Sequence, residues 1–212
     1  MSTDVPRDSG AARQDGNPIN GVAVAIVREN RDPSDLARVK VSFPWHSRPE
    51  ESFWARLATP MAGRNYGTYF LPDVNDEVLV AFERGDIRFP CVVGSLWNGD
   101  RKPPATNADG RNDIRTIRTR KGHALRFDDG VRGHVRLELN DGKAITIDDD
   151  GITIDALNGN RIVIGSATGA TTIEAASMLR IRGARVAIEA SGGLDITAGG
   201  TLTLRGALIA IN

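Results

Sequence analysis

Two acidic runs, Asp128-Asp129 and Asp148-Asp149-Asp150, carry side chains that could do chemistry. A carboxylate pair is the equipment of glycoside hydrolysis, and a carboxylate cluster is a calcium ligand set. Each run, however, stands against a glycine, Gly130 or Gly151, where turn formation explains it. The histidines are His46, His123 and His134. His123 follows Gly122, and no Ser or Cys is spaced to act as its nucleophile, so a packed or hydrogen-bonded turn residue is expected rather than a base. The one cysteine, Cys91, cannot form an intrachain disulfide and sits in the apolar run Phe89-Pro90-Cys91-Val92-Val93, as a small buried hydrophobe would. Trp45, Trp54 and Trp97 could stack nucleobases. With 27 Lys plus Arg against 27 Asp plus Glu there is no basic groove beside them, and core or interface anchors are expected. Arg180, Arg182 and Arg185 could form an anion patch, but Glu174, Glu189 and Asp195 make this a mixed, solvated face. The inventory assigns no catalytic, cofactor-binding or metal-binding residue.

The elements that would position these residues fall into two compositional halves. All ten prolines lie at or before Pro104, and all Trp, Tyr and Phe at or before Phe127. Residues 1–18 are polar and aperiodic and read as a flexible arm; they lack the apolar core of a signal peptide, so synthesis in the cytoplasm is expected. Residues 19–100 hold five short strand signals: Val22–Val27, Ala37–Phe43, Ser52–Ala58, Glu77–Glu83 and Phe89–Leu96. Five such strands without a convincing helix predict a small closed barrel, for which the OB-fold is the commonest solution. Residues 101–144 read as a linker, Pro103–Gly110, followed by neck strands at Ile114–Ile117, Ala124–Phe127 and Val135–Leu139. Asp128-Asp129-Gly130 and Asn140-Asp141-Gly142 supply the turns.

Residues 145–212 repeat. An apolar-x-apolar doublet recurs as Ile145/Ile147, Ile152/Ile154, Ile162/Ile164, Leu179/Ile181, Val186/Ile188, Leu194/Ile196, Leu202/Leu204 and Ile209/Ile211, with a single Ile173 in the long gap. The step averages about eight residues, with small or turn-forming residues between doublets. A single-chain β-helix uses coils of roughly twenty residues or more to enclose a core. A step this short predicts three chains sharing each layer around a three-fold axis. The doublets from Ile145 to Leu204 would form the trimer-axis core, since one chain alone would expose an apolar stripe. The expected fold class is therefore all-β, an N-terminal OB-fold barrel followed by a trimeric intertwined β-helix.

Several segments carry a family resemblance. Ala37–Trp45 (ARVKVSFPW) resembles the GRVKVRFPW stretch of the valine-glycine repeat protein G (VgrG) and phage baseplate assembly protein V family. Ser52–Pro60, Gly63–Pro72, Asp76–Asp86, Pro90–Gly99 and Pro103-Pro104 are similar to the segments that follow it in family order. Arg118–Asp129 resembles the neck motif RxGHxLxFDD. The resemblance covers roughly residues 19–155 and implies the central spike of a contractile injection apparatus: a trimeric barrel collar under a hub, with a β-helical needle below. Longer members carry an N-terminal hub domain, whereas here the barrel comes almost at once. A separate baseplate hub protein is thus expected, in a phage, tailocin or phage-like particle rather than in type VI secretion. Some spikes end in a metal-binding His-x-His, but the histidines here lie far from the C-terminus. No metal or cofactor is expected, and a PAAR-type tip protein would dock on Leu208, Ile209, Ile211 and Asn212. Beyond this spike, which would touch the target envelope only transiently, two other classes stay open: an OB-fold single-stranded nucleic-acid binder and a cell-wall hydrolase.

Overall fold

Alternation of valine and alanine with a second apolar set carries the first half of the chain into strands, and Asn, Asp and Gly turns fold them back on one another. The computed structural model describes residues 18–45 and 52–211; the expected arm, His46 and Asn212 lie outside these. The chain divides into two units, residues 1–106 and 107–212.

In the first unit the strands are β1 (Val22–Glu29), β2 (Lys40–Ser42), β3 (Arg56–Leu57), β4 (Ala62–Gly63), β5 (Tyr66–Gly67), β6 (Glu77–Phe82) and β7 (Pro90–Leu96). A sheet runs β2-β1-β6-β7-β3, with β3 parallel to β7 and the other pairs antiparallel. Val39 and Ala55 exchange backbone hydrogen bonds of 3.0 and 2.7 Å, which joins the β2 side to the β3 side and closes the barrel. Five strands with this connectivity are an OB barrel. Its interior holds Val27, Val39, Val41, Val78 and Val80, with the Phe43 and Phe82 rings in tilted contact at a centroid distance of 5.4 Å.

The expected strands appear with shifted ends. The stretch Ala37–Phe43 becomes a short β2 because the preceding loop is wound around Asp32. The Asp32 carboxylate is buried and accepts hydrogen bonds from the backbone N–H of Ser34, Leu36 and Arg38 and from Arg38 Nε (2.7 Å) and Nη2 (2.8 Å). Asp35 and Ala37 take left-handed backbone conformations to make that loop. The Ser52–Ala58 signal shrinks to β3, partly because Ser52 Oγ takes the Val41 N–H that a ladder carbonyl would otherwise receive. The β4–β5 hairpin was not expected. A 3-10 turn, Glu83–Gly85, lies between β6 and β7.

The second unit is a seven-stranded antiparallel meander in chain order: β8 (Ile114–Arg118), β9 (Ala124–Asp128), β10 (His134–Glu138), β11 (Ala144–Asp148), β12 (Gly151–Asp155), β13 (Arg161–Gly165) and β14 (Thr171–Glu174). It runs without a break through the expected neck-to-repeat boundary at residue 144, since β10 and β11 pair along their whole length. Among the described residues of this unit Ala144 is the one buried apolar side chain, and from Ser166 onward every described residue is exposed. After Glu174 the described residues form no strand within the chain.

Candidate functional site

The meander has two faces of different chemistry. Because side chains alternate and every pair is in register, residues that face each other across the ladder line up in rows. One row runs Ile117-Leu125-Leu137-Ile145-Ile154-Ile162-Ile173. The next runs Arg115-Phe127-Val135-Ile147-Ile152-Ile164-Thr171. Both lie on the same face. Between them, on the opposite face, runs Thr116-Arg126-Arg136-Thr146-Thr153-Val163-Thr172. The first face is a nearly unbroken apolar strip. Charges on the second are paired: Arg126 with Asp128 at 2.9 Å, and Arg136 with Glu138 at 2.9 Å and Thr146 at 3.0 Å. Within the single chain the strip is open, with Ile145, Ile147, Ile154, Ile164 and Ile173 exposed.

Turns hold the strands in this register. Along one edge, Thr119–His123, Leu139–Lys143 and Ala156–Asn160 each bend the chain back with short backbone hydrogen bonds. Asp141 meets Lys143 inside the middle turn. Asn160 Oδ1 accepts from the Ala176 N–H at 3.3 Å, carrying the edge past β14. On the other edge β11 returns through Asp149-Asp150 alone, where Asp148 Oδ1 accepts from the N–H of Asp150 (3.0 Å) and Gly151 (3.1 Å).

The doublets predicted from sequence thus divide. Ile145, Ile147, Ile152, Ile154, Ile162 and Ile164 come together on the strip. Leu179, Ile181, Val186, Ile188, Leu194, Ile196, Leu202 and Leu204 are exposed with no strand partner within the chain, as are Leu208, Ile209 and Ile211. Ile117, Leu125, Phe127, Val135 and Leu137 extend the strip upward. They were not counted in the axis set, although their period-two pattern signalled them.

The residues that could have done chemistry are engaged structurally. The Gly130 N–H and then the Arg126 guanidinium hold the Asp128 carboxyl below the usual carboxylate range. Asp129 pairs with Arg115 at 3.0 Å. His123 Nδ1 accepts from the Asn140 N–H. Trp54 has the cations of Arg38 and Lys40 at 5.7 and 5.1 Å from its ring, so that ring is already partnered. Among the described residues no group of three or more acidic, His or Cys side chains is placed to hold a metal, and no helix is long and apolar enough to cross a membrane.

Residues 23–97 match the model of the type VI secretion system/phage-baseplate injector OB domain, and residues 115–171 that of the phage baseplate V C-terminal trimerisation domain. Relatives include the type VI secretion system spike protein VgrG1a of Pseudomonas aeruginosa, 32% identical over 91 residues (41% of this chain, 14% of that protein). The spike protein VgrG3 of Vibrio cholerae is 36% identical over 74 residues (33% of this chain, 7% of that protein). The actin cross-linking toxin VgrG1 of Vibrio cholerae is 34% identical over 73 residues (32% and 7%). The chain therefore aligns with only a small part of each of these relatives. The second match covers the meander from Arg115 to Thr171, the stretch that carries the apolar strip, and it supports a homotrimer. With an all-β barrel matched as the injector OB domain and a sheet matched as its trimerisation domain, the chain belongs to the VgrG/phage baseplate V family of spike proteins.

Proposed function

We propose that the chain is the structural central spike of a contractile injection apparatus, working as a homotrimer in a phage tail, tailocin or phage-like particle. It joins the baseplate hub through the barrel and transmits contraction force through the meander and repeats to the target envelope. A type VI secretion particle would use the same mechanics. The observation that carries this reading is the strip: two adjacent rows of Ile, Leu, Val and Phe on one sheet face, open to water in a single chain.

Three such faces turned toward one axis would bury one another. Burial is worth about 25 cal/mol per Å² of apolar surface. The row Thr116 to Thr172, with its paired arginines, then faces water. The doublets from Leu179 to Leu204 change step: seven or eight residues, against the roughly ten-residue repeat of the hairpins above them. A seven-residue step can hold a return strand, as β11 to β12 does, but after Glu174 the described residues form no strand within the chain, so these doublets take their ladder partners from the neighbouring chains, and stiffness comes from interchain backbone hydrogen bonds. Leu208, Ile209 and Ile211, exposed in the single chain, then present three copies of an apolar surface suited to a PAAR-type tip protein. Contact with the envelope is transient and mechanical, and no catalytic residue is invoked.

The test is solution mass by light scattering after size exclusion. One chain is 22.8 kDa. An elongated particle of three chains is expected, and a monomer would overturn the reading. A particle whose spike is cut after Glu174 should assemble its collar but lose delivery. Undiminished delivery would remove the needle's role.

A further inference from the structure

The turns of the meander sort by charge according to the edge they occupy. Along one edge lie the turns that join β8 to β9, β10 to β11 and β12 to β13. Along the other lie those that join β9 to β10, β11 to β12 and β13 to β14. On the first edge the first two turns carry Lys121 and Lys143, and the third, Ala-Leu-Asn-Gly-Asn, carries no charge. On the second edge the first two carry Asp128-Asp129 and Asp148-Asp149-Asp150, and the third, Ser-Ala-Thr-Gly, again carries none. Charge on one edge is thus matched, turn by turn, by opposite charge on the other.

The single chain does not satisfy these groups. Asp148 is engaged by the N–H groups of its own turn, but the carboxylates of Asp149 and Asp150 and the ammonium of Lys121 are exposed, with no hydrogen bond or ion pair among the described residues. Three consecutive carboxylates repel one another, and no cation of the same chain offsets them. Lys143 meets Asp141, and Asp129 meets Arg115, in exposed pairs that are individually weak and open to exchange. Arg120 adds to the positive charge beside Lys121, and Arg132 is the countercharge on the Asp129 turn.

A sheet that turns its apolar strip to a three-fold axis has one edge on its left and the other on its right. Every corner of such an assembly brings the first edge of one protomer against the second edge of the next, and no edge meets its like. With strands running across the axis, the three copies stand at equal heights. Turns on the two edges alternate along the meander by one strand spacing, about 4.8 Å. Lys121 then stands about one spacing from the level of the neighbour's Asp129, and Lys143 about one spacing from that of its Asp149, both within side-chain reach. We infer that the meanders meet edge to edge, the Lys121 and Lys143 turns of one protomer closing against the Asp129 and Asp149-Asp150 turns of the next. The contact rests on the trimeric reading above and fixes which edge meets which, and at what height.

The test is zero-length coupling of the full chain with a carbodiimide, the mass being measured beforehand. The reagent activates a carboxylate, a lysine amine in contact displaces it to form an amide, and the carbodiimide leaves as its urea. Covalent dimers and trimers are expected, with Lys143 joined to Asp149 or Asp150 and Lys121 to Asp129. Within one chain each of these pairs is separated by a five-residue strand, β11 or β9, roughly 17 Å long, so such a bond must join two copies. Lys143→Glu should weaken the trimer about tenfold, through three corners, and adding Asp149→Lys and Asp150→Lys should restore most of the loss. A trimer that couples at other residues or not at all, or a reversal that is not rescued, overturns the edge contact and leaves the trimer standing. A monomer overturns the trimeric reading and the edge contact with it.

Discussion

His123 Nδ1 accepts a hydrogen bond from the backbone N–H of Asn140 at 3.2 Å, and so ties the turn between β8 and β9 to the turn between β10 and β11. The two turns belong to neighbouring hairpins that share an edge, and Gly122 has the positive φ that brings His123 into place. His123→Leu removes the acceptor but leaves an amide that water can reach. A loss of about 0.5–1 kcal/mol per chain is expected. Amide exchange at Asn140 should quicken about two- to fivefold, with the mass unchanged. His123→Gln, which can still accept, should restore part of the protection.

Acid should loosen the barrel through Asp32. The Arg38 side chain, followed by the N–H groups of Ser34, Arg38 and Leu36, holds this carboxyl far below the usual carboxylate range, against the opposing effect of burial. Asp86 is lowered in the same way by Arg88, and Asp141 by Lys143. A carboxyl with a depressed folded value stabilises the fold fully above the unfolded value of about 4, and that stabilisation is lost as pH falls through the folded value. Melting temperature should therefore be flat from pH 7 to about 5 and fall below about pH 4. Asp32→Asn should lower the melting temperature at neutral pH and flatten the acid limb. A full acid limb in that variant would assign the effect to other carboxylates.

The barrel was legible because Val39, Val41, Val78 and Val80 sit in runs bounded by Pro44, Pro60 and Gly85, and the strip because Ile145/Ile147 and Ile152/Ile154 repeat. The β4–β5 hairpin was not. Its strands are two residues long, too short for a period, and its turn depends on the left-handed backbone of Asn65. Arg118–Asp129 was legible as a motif but not as part of the strip, since its turn composition set it apart from the repeats. Ile117 and Leu125 nonetheless share a row with Ile145. Doublets such as Val186/Ile188 were legible as a pattern. Their partners are not, because after Glu174 the described residues form no strand within the chain.

Gly151 shows where one methyl group would break the meander. Its φ is +140°, and an added Cβ would lie 1.9 Å from the Ile164 carbonyl oxygen, in a ladder position where the opposite residue is Gly165. No side chain is available to swing aside; the backbone of β13 would have to move. Gly151→Ala should cost about 2–3 kcal/mol per chain through strain and lost pairing. Gly169→Ala, with open space around it, should cost less although its φ is also positive. Thermal unfolding of the two variants gives the comparison; equal losses would mean that the β12–β13 contact is not what limits stability.

The most discriminating substitution is Ile147→Lys. Ile147 pairs with Val135 on one side and Ile152 on the other, in the middle of the strip, and is 49% exposed in the single chain. If that face met water, a lysine there would change stability by no more than about 0.5 kcal/mol and would improve solubility. If three strips meet, each trimer gains three ammonium groups near one axis. It loses about 1.5–3 kcal/mol of apolar burial per chain and adds the cost of desolvating like charges. The expected outcome is loss of the three-chain mass at micromolar protein, while Thr146→Lys, one residue away on the polar face, keeps it. Retention of the trimer by Ile147→Lys would mean that the strip does not face the axis, and the assembly would then have to be rebuilt with the threonine and arginine face inward.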